Sequence, residues 1–495
     1  MASSAACCDL ILFGSCGDLA RRKLLPALYQ LEKAGLLHSD TRIIGVARES
    51  LSLAEYRAKV GEDLRQLLTR ETLDESVWQR FEKKLSYCEI ELSDLDQYEA
   101  LTEWVDTSGA SEHERTPICY FATPPHLFAT LCKGLHSVGL TREPTRVVLE
   151  KPLGQDLASS QKINRQVAEY FHESQVYRID HYLGKETVLN LLALRFANSI
   201  FSDQWSHSTI DHIQITAAEQ VGVEGRWSYY DDAGQLRDMV QNHLLQVLSL
   251  IAMEPPTRLD TESIREEKLK VLRSLRPIDR DNVHDDTVRG QYTAGFVGDH
   301  KVPGYLEEEG AATDSTTETF VALKTHIDNW RWSGVPFYLR TGKRMPHKRT
   351  EVVITFKRQP HNIFYETQSQ LPPNRLIIRL QPDEGVEIQM MNKVPGLGKQ
   401  MQLKPTTLDL SFYETFENKR IADAYERLLL EAMQGNQYLF VAREEVEHAW
   451  RWIDGIRAAW QQLPEGPKTY QAGTWGPTAA VTLMAQDGRE WDDED

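Results

Sequence analysis

The chain has 495 residues, with 56 Lys plus Arg against 73 Asp plus Glu and a formal net charge of −17. Hydrophobic residues at 41% and charged residues at 26% exclude a fibrous or largely disordered chain, and at about 150 residues per domain the length predicts roughly two to four domains. A field of this sign repels polyanions and so disfavours a general nucleic-acid or acidic-membrane binder, and neither partner is expected, while small phosphorylated ligands remain open.

The six cysteines, Cys7, Cys8, Cys16, Cys88, Cys119 and Cys132, show no C-x-x-C spacing, so neither a metal site nor a redox pair is expected. The N-terminus, MASSAACCDLILFG, lacks a basic leader, and its apolar run is short for a secretory core. The cysteines therefore read as free thiols in a reducing compartment, and the expected location is the cytoplasm. No window approaches about 18 uninterrupted apolar residues, so no membrane span or membrane partner is expected.

The first 150 residues alternate short β-branched runs with longer amphipathic stretches. Strands are predicted at 10–13, 42–47, 87–92, 118–122 and 146–150, with helices between them at 18–33, 53–68, 95–105 and 125–138. Such alternation gives βαβ units and a parallel sheet. Pro26 falls inside the first helix and predicts a kink.

From about residue 180 the texture changes. An apolar helix is predicted at 186–196 and a second at 235–253, with Leu244, Leu245, Leu248 and Ile251 spaced for burial. Strand-like stretches at 210–217, 319–327, 352–356 and 375–380 have few helical crossovers between them, which predicts a mainly antiparallel sheet with helices packed on it. The expected architecture is an α/β, Rossmann-like domain over 1–180 and an α+β domain over 181–495 built on a large, mainly antiparallel sheet. The acidic end, 490–495, is expected to fray.

The first strand runs into Phe13-Gly14-Ser15-Cys16-Gly17-Asp18-Leu19-Ala20, which opens the first helix. Glycines at such a turn let the backbone approach a pyrophosphate, whose charge the helix N-terminal amides stabilise. The spacing is G-x-x-G and not G-x-G-x-x-G, and an ordinary glycine turn without a ligand is the alternative. Its place on the first strand of a βαβ series favours the ligand. Arg48 ends the second strand, where NAD-binding domains commonly carry an acid for the ribose hydroxyls. An arginine there can pair with a 2′-phosphate, reinforced by Arg21 and Arg22, which predicts NADP over NAD. Glu49 follows it, and a solvated surface arginine is the alternative.

The strand at 146–150 ends in Lys151-Pro152-Leu153-Gly154, at a carboxyl end where α/β ligands bind. Pro152 restricts Lys151 to extended geometry and admits a cis bond; otherwise the lysine is a surface cation. The densest polar cluster is Tyr177-Arg178-Ile179-Asp180-His181-Tyr182-Leu183-Gly184-Lys185-Glu186-Thr187. His181, Tyr182 and Lys185 converge there on a helix N-terminus suited to a phosphate dianion, the alternative being a polar hinge. Further on, His243 lies beside leucines, where a hydrogen-bonded core histidine is the commoner state. Asp238 and His243 are five residues apart, about 140° around an ideal α-helix, so the spacing predicts that they do not share a face.

Together these strings resemble the glucose-6-phosphate dehydrogenase family, and the similarity runs from Gly14 to Tyr470-Gln471-Ala472-Gly473-Thr474-Trp475-Gly476-Pro477. RIDHYLGKE at 178–186 carries it most specifically, and Arg289-Gly290-Gln291-Tyr292 with Val302-Pro303-Gly304-Tyr305 resembles the bacterial members. The resemblance implies oxidation of C1 of β-D-glucose 6-phosphate by NADP⁺, opening the pentose phosphate pathway, and a homodimer or homotetramer. It implies His243 as general base and Asp180 as the carboxylate that orients it; an imidazole's ordinary pKa of about 6.5 suits proton removal near neutral pH. It implies His181, Tyr182 and Lys185 as the substrate-phosphate pocket, Lys151 as a lysine reaching both substrate and coenzyme, and Glu219, Asp238 and Lys343 as further substrate groups. By composition alone Glu219 and Lys343 would be solvated surface. Cys16 departs from the small or basic residue more usual in this loop, and the structural second NADP site of some eukaryotic members is not carried over to this chain. The rival readings are an NADP-linked dehydrogenase of another aldose phosphate and an NADP-binding redox sensor without turnover.

Overall fold

The structure is a computed structural model that describes residues 6–68, 73–105, 115–366, 368–397, 401–415 and 420–493. The chain forms two compact units: Met1–Lys185 with Pro256–Glu266 and Ala422–Glu447, and Glu186–Pro255 with Glu267–Ile421 and His448–Asp495.

Six apolar runs build the sheet of the first unit: β1 (Cys8–Phe13), β2 (Arg42–Ala47), β3 (Leu85–Glu89), β4 (Thr116–Phe121), β5 (Arg146–Leu149) and β6 (Val176–Arg178). All are parallel, in the order β3-β2-β1-β4-β5-β6. A parallel sheet is covered on both faces, so its strands are continuously apolar, as the wholly buried CDLILF of β1 illustrates. Ile11, Phe13, Val46, Cys119, Phe121 and Leu149 pack with Leu131 and Leu135 of an adjoining helix. The strand order reverses between β1 and β4, which puts the turn after β1 at the topological switch point.

Three local features differ from expectation. The stretch after β3 is a 3₁₀ helix, Leu95–Glu103, and helix Glu75–Lys84 was not predicted, although Asp74 caps it by accepting from the Ser76 and Val77 amides. Pro26 produces no kink inside an α-helix. The helical run that starts at 18 passes through a π turn, Ala20–Leu24, before helix Leu25–Lys33, so Pro26 falls just after a π segment, where the hydrogen-bond ladder is already shifted from the α pattern. From the far end of the sequence, helix Ala424–Gln434 joins this unit so closely to the turn His181–Gly184 that a Cβ on Gly184 would lie 2.5 Å from the Ala424 carbonyl oxygen.

The second unit is built on β7 (Ile210–Ala218), β8 (Thr287–Thr293), β11 (Phe320–His326), β12 (Pro336–Gly342), β13 (Arg349–Phe356), β14 (Arg375–Gln381), β15 (Gly385–Lys393), β16 (Leu403–Ser411) and β17 (Lys468–Gln471), with β9 (Gly295–Val297) and β10 (His300–Val302) as a separate hairpin. The nine-stranded order is β16-β15-β14-β13-β7-β12-β11-β8-β17. Only the β7–β12 and β8–β17 pairs are parallel, so the sheet is mixed and mostly antiparallel. Its core is aromatic: Tyr230, Tyr292, Tyr305, Phe320, Tyr338 and Tyr470 are all buried.

The predicted helix at 235–253 is three pieces: Trp227–Gln235, broken by Gly234 at φ 70°, a π-helix Leu236–Leu244, and an α-helix Leu245–Ala252. The acidic end is packed through Asp493 where fraying was expected; 494 and 495 lie outside the described residues. Arg340 supplies the reason. Its guanidinium is 1% exposed, lies 4.7 Å and 4.3 Å from the ring centroids of Trp475 and Trp491, and pairs with Asp493 at 2.6 Å. A buried cation demands a carboxylate, and the end of the chain provides it.

All six cysteines are free thiols. No helix among the described residues is long and apolar enough to cross a membrane.

Candidate active site

The glycine turn is built against its neighbours by backbone alone. The Gly14 and Ser15 amides donate to the Val46 carbonyl at 2.9 Å and 3.1 Å, and the Gly17 amide to that of Gly14 at 2.9 Å. Gly14 has φ 86°, and a Cβ there would lie 2.6 Å from the Ala122 carbonyl oxygen, so only glycine fits. Asp18, Leu19 and Ala20 follow as the start of the helical segment. A turn at the switch point that opens onto a helix start, with glycine at 14 and 17, fits the pyrophosphate of a dinucleotide.

The cations near this turn are differently engaged. Arg21 binds Asp63, with Nε 2.6 Å from Oδ2, and Arg22 pairs with Asp18 at 2.8 Å. Arg48 is exposed at the end of β2. The Cys16 thiol is partly exposed, and burial, followed by the nearby Glu49 carboxylate, pushes its pKa up, which disfavours the reactive thiolate.

At the carboxyl ends of β5 and β6 the first unit gathers its polar groups. Lys151-Pro152 is a cis peptide. Asp180, 2% exposed, caps the turn His181–Gly184 by accepting from the Tyr182 amide at 3.0 Å. Lys185 Nζ stands 3.7 Å from the Tyr182 ring centroid, a cation held over an aromatic face. The His181 ring lies 6.3 Å from that of Tyr425, nearly parallel at 13°. His181 and Lys185 are partly exposed, while Tyr182 is buried. An imidazole, a phenol and an ammonium thus surround one helical turn, immediately before helix Glu186–Phe196.

The second unit has its own cluster. Glu219 and Lys343 follow the paired residues Ala218 and Gly342 at the ends of the parallel strands β7 and β12. Lys343 Nζ lies 2.9 Å from Glu219 Oε2, 4.0 Å from Asp238 Oδ2 and 5.0 Å from the Tyr230 ring centroid. Lys343 is 5% exposed, which corrects its reading as solvated surface. His243, 1% exposed, sits near the end of the π-helix that carries Asp238. Hydrogen bonds in such a helix join residues five apart, so the ideal α-helix argument against a shared face for Asp238 and His243 loses its premise.

Sequence reasoning missed Glu150, Tyr120, Tyr425 and Tyr230. An acid closing the apolar strand Arg-Val-Val-Leu was a usable signal for Glu150. The tyrosines carry no local signal, because each reaches its cluster by a long-range contact.

A doubly wound sheet with a glycine turn at its switch point, joined in one chain to a large mixed sheet bearing a buried lysine–carboxylate cluster, defines a dinucleotide-dependent oxidoreductase. Residues 11–190 match the family described as glucose-6-phosphate dehydrogenase, NAD binding domain, and residues 192–492 match its C-terminal domain. The chain belongs to the glucose-6-phosphate dehydrogenase family. It is 60% identical over 491 residues to glucose-6-phosphate 1-dehydrogenase of Dickeya dadantii, covering 99% of both chains. Among solved structures, the enzyme of Mycobacterium avium matches at TM-score 0.85 and 37% identity, covering 99% of each chain. A glucose-6-phosphate dehydrogenase in complex with its substrate glucose 6-phosphate matches at TM-score 0.88 and 35% identity, covering 100% of each.

Proposed function

We propose that this chain oxidises C1 of β-D-glucose 6-phosphate with NADP⁺, giving 6-phosphogluconolactone and NADPH, in the cytoplasm and as a homodimer or homotetramer. The observation that carries the reading is full-length identity of 60% to a glucose-6-phosphate 1-dehydrogenase.

His243 takes the C1 hydroxyl proton as the C1 hydride leaves, and Asp180 orients the imidazole and stabilises the imidazolium. The bound coenzyme supplies the hydride acceptor. The partly exposed His181 and Lys185, with the Tyr182 phenol, grip the phosphate by charge-assisted hydrogen bonds. Lys151 reaches substrate and coenzyme, and Glu219, Asp238 and Lys343 hold the rest of the substrate. In the turn Gly14 to Ala20 the Gly14, Ser15 and Gly17 amides hold the turn's shape by donating to the Val46 and Gly14 carbonyls, and the turn's other amides cradle the pyrophosphate. Arg48 pairs with the 2′-phosphate; the Asp63 partner of Arg21 limits that arginine to a supporting role.

The test is an assay of the purified chain with glucose 6-phosphate and each nicotinamide coenzyme. Reduced-nicotinamide absorbance that rises faster with NADP⁺ is expected. Faster turnover of another aldose phosphate would reassign the substrate, and no absorbance with any sugar would favour a coenzyme-binding sensor.

A further inference from the structure

Glu150 is a buried carboxylate to which the reaction above assigns no role. It closes β5, is 6% exposed, and immediately precedes Lys151. Its Oε1 accepts from the Tyr120 phenol at 2.6 Å and its Oε2 from the Lys151 amide at 3.3 Å. The Tyr425 phenol donates to the same carboxylate. Tyr120 is fully buried on β4, and Tyr425 begins the helix that returns from the far end of the sequence. The ring of Tyr425 lies nearly parallel to that of His181.

A carboxylate withdrawn from water is unfavourable unless donors replace the solvent. Burial pushes the Glu150 carboxyl above its usual range, while the two phenols, the Lys151 amide and the Lys151 charge pull it back. An apolar side chain would fill the end of an apolar strand without that desolvation cost. The acid has one property that an apolar side chain lacks: several lone pairs that receive donors from β4, from the helix Ala424–Gln434 and from the chain directly after β5 at once.

We propose that Glu150 is a positioning residue, whose carboxylate sets the Lys151 backbone on one side and, through the Tyr425 phenol, the His181 ring on the other. The assignment rests on the proposed function, in which Lys151 and His181 bind substrate. Both residues hold the substrate before and during the reaction, so their misplacement weakens ground state and transition state alike and is read in KM.

The experiment compares wild type, Glu150→Gln, Lys151→Ala and the double variant in steady-state assays with glucose 6-phosphate, alongside thermal unfolding. A glutamine has one acceptor oxygen and an NH₂ group, so it cannot receive all three donors. Glu150→Gln is expected to raise KM for glucose 6-phosphate about tenfold with kcat within about threefold. In the Lys151→Ala background its effect should shrink to about threefold, because part of what it positions has gone.

An unchanged KM overturns the proposal, as does an equal loss in kcat and kcat/KM accompanied by a lowered unfolding midpoint, which marks a merely structural role. Should Glu150→Gln fail to fold, Tyr120→Phe removes one donor and leaves the carboxylate in place. It is expected to raise KM about threefold, and an unmoved KM overturns the proposal. A wild-type chain without turnover removes the proposed function instead, so the two failures are distinguishable.

Discussion

Lys343 and Glu219 meet at 2.9 Å because the parallel strands that precede them end in register, with Ala218 opposite Gly342. The Glu219 amide donates to the Gly342 carbonyl at 3.0 Å, and the Lys343 carbonyl accepts from the buried Tyr470 phenol at 2.6 Å. Backbone and side chain are thus both fixed, and the ammonium is preorganised. Replacing Lys343 by alanine is expected to raise KM for glucose 6-phosphate by about tenfold or more. Unchanged kinetics would show that the pair is only structural.

Lys185 sits over the Tyr182 ring beside the His181–Gly184 turn. If it grips a phosphate dianion, Lys185→Ala should lower kcat/KM for glucose 6-phosphate by about tenfold to a hundredfold and affect any turnover of glucose itself far less. Parallel assays with both sugars check this, and equal losses would remove the phosphate role.

Arg48 is the exposed cation at the end of β2, whereas Arg21 is engaged by Asp63. Arg48→Ala should raise KM for NADP⁺ by about tenfold while changing that for NAD⁺ little. Measuring both coenzymes at saturating sugar phosphate settles the matter; an unaltered preference would return Arg48 to the solvated surface.

Glu351 is 1% exposed, and burial raises its pKa from the ordinary 4.5 to about 7, against the opposing pull of Arg349 at 2.6 Å. The native state therefore holds a proton that the unfolded chain releases. The stability this group contributes is complete below pH 4.5 and is lost as pH rises through about 7. Between those two values the loss runs at about 1.4 kcal/mol for each step of one in pH. Glu351→Gln, which is neutral throughout, should therefore gain in unfolding midpoint relative to wild type as pH is raised from about 5 to about 8. A difference that stays flat across that range would contradict the assignment.

The first unit was largely legible. Its strands are continuous apolar runs set apart by helices of ordinary length, and the string from Arg178 to Glu186 concentrates more polar chemistry than any surface helix needs. The second unit was less so. β12, PFYLRTG, was not predicted, although it is wholly buried, and without it nothing places Lys343 beside Glu219. The π turns at Ala20–Leu24 and Leu236–Leu244 escaped because apolar periodicity presumes 3.6 residues per turn. Tyr425 reaches His181 and Asp493 reaches Arg340 by contacts that only tertiary packing creates.

Turnover by His243→Asn tests the proposed chemistry most directly. The substitution keeps a hydrogen-bonding amide at about the position of the imidazole Nδ1 but cannot take the C1 hydroxyl proton. With His243 as the base, kcat should fall by about 10²- to 10⁴-fold while binding of glucose 6-phosphate stays within about threefold of wild type. Turnover close to wild type would contradict the assignment of the base, and with it the chemistry proposed for this chain.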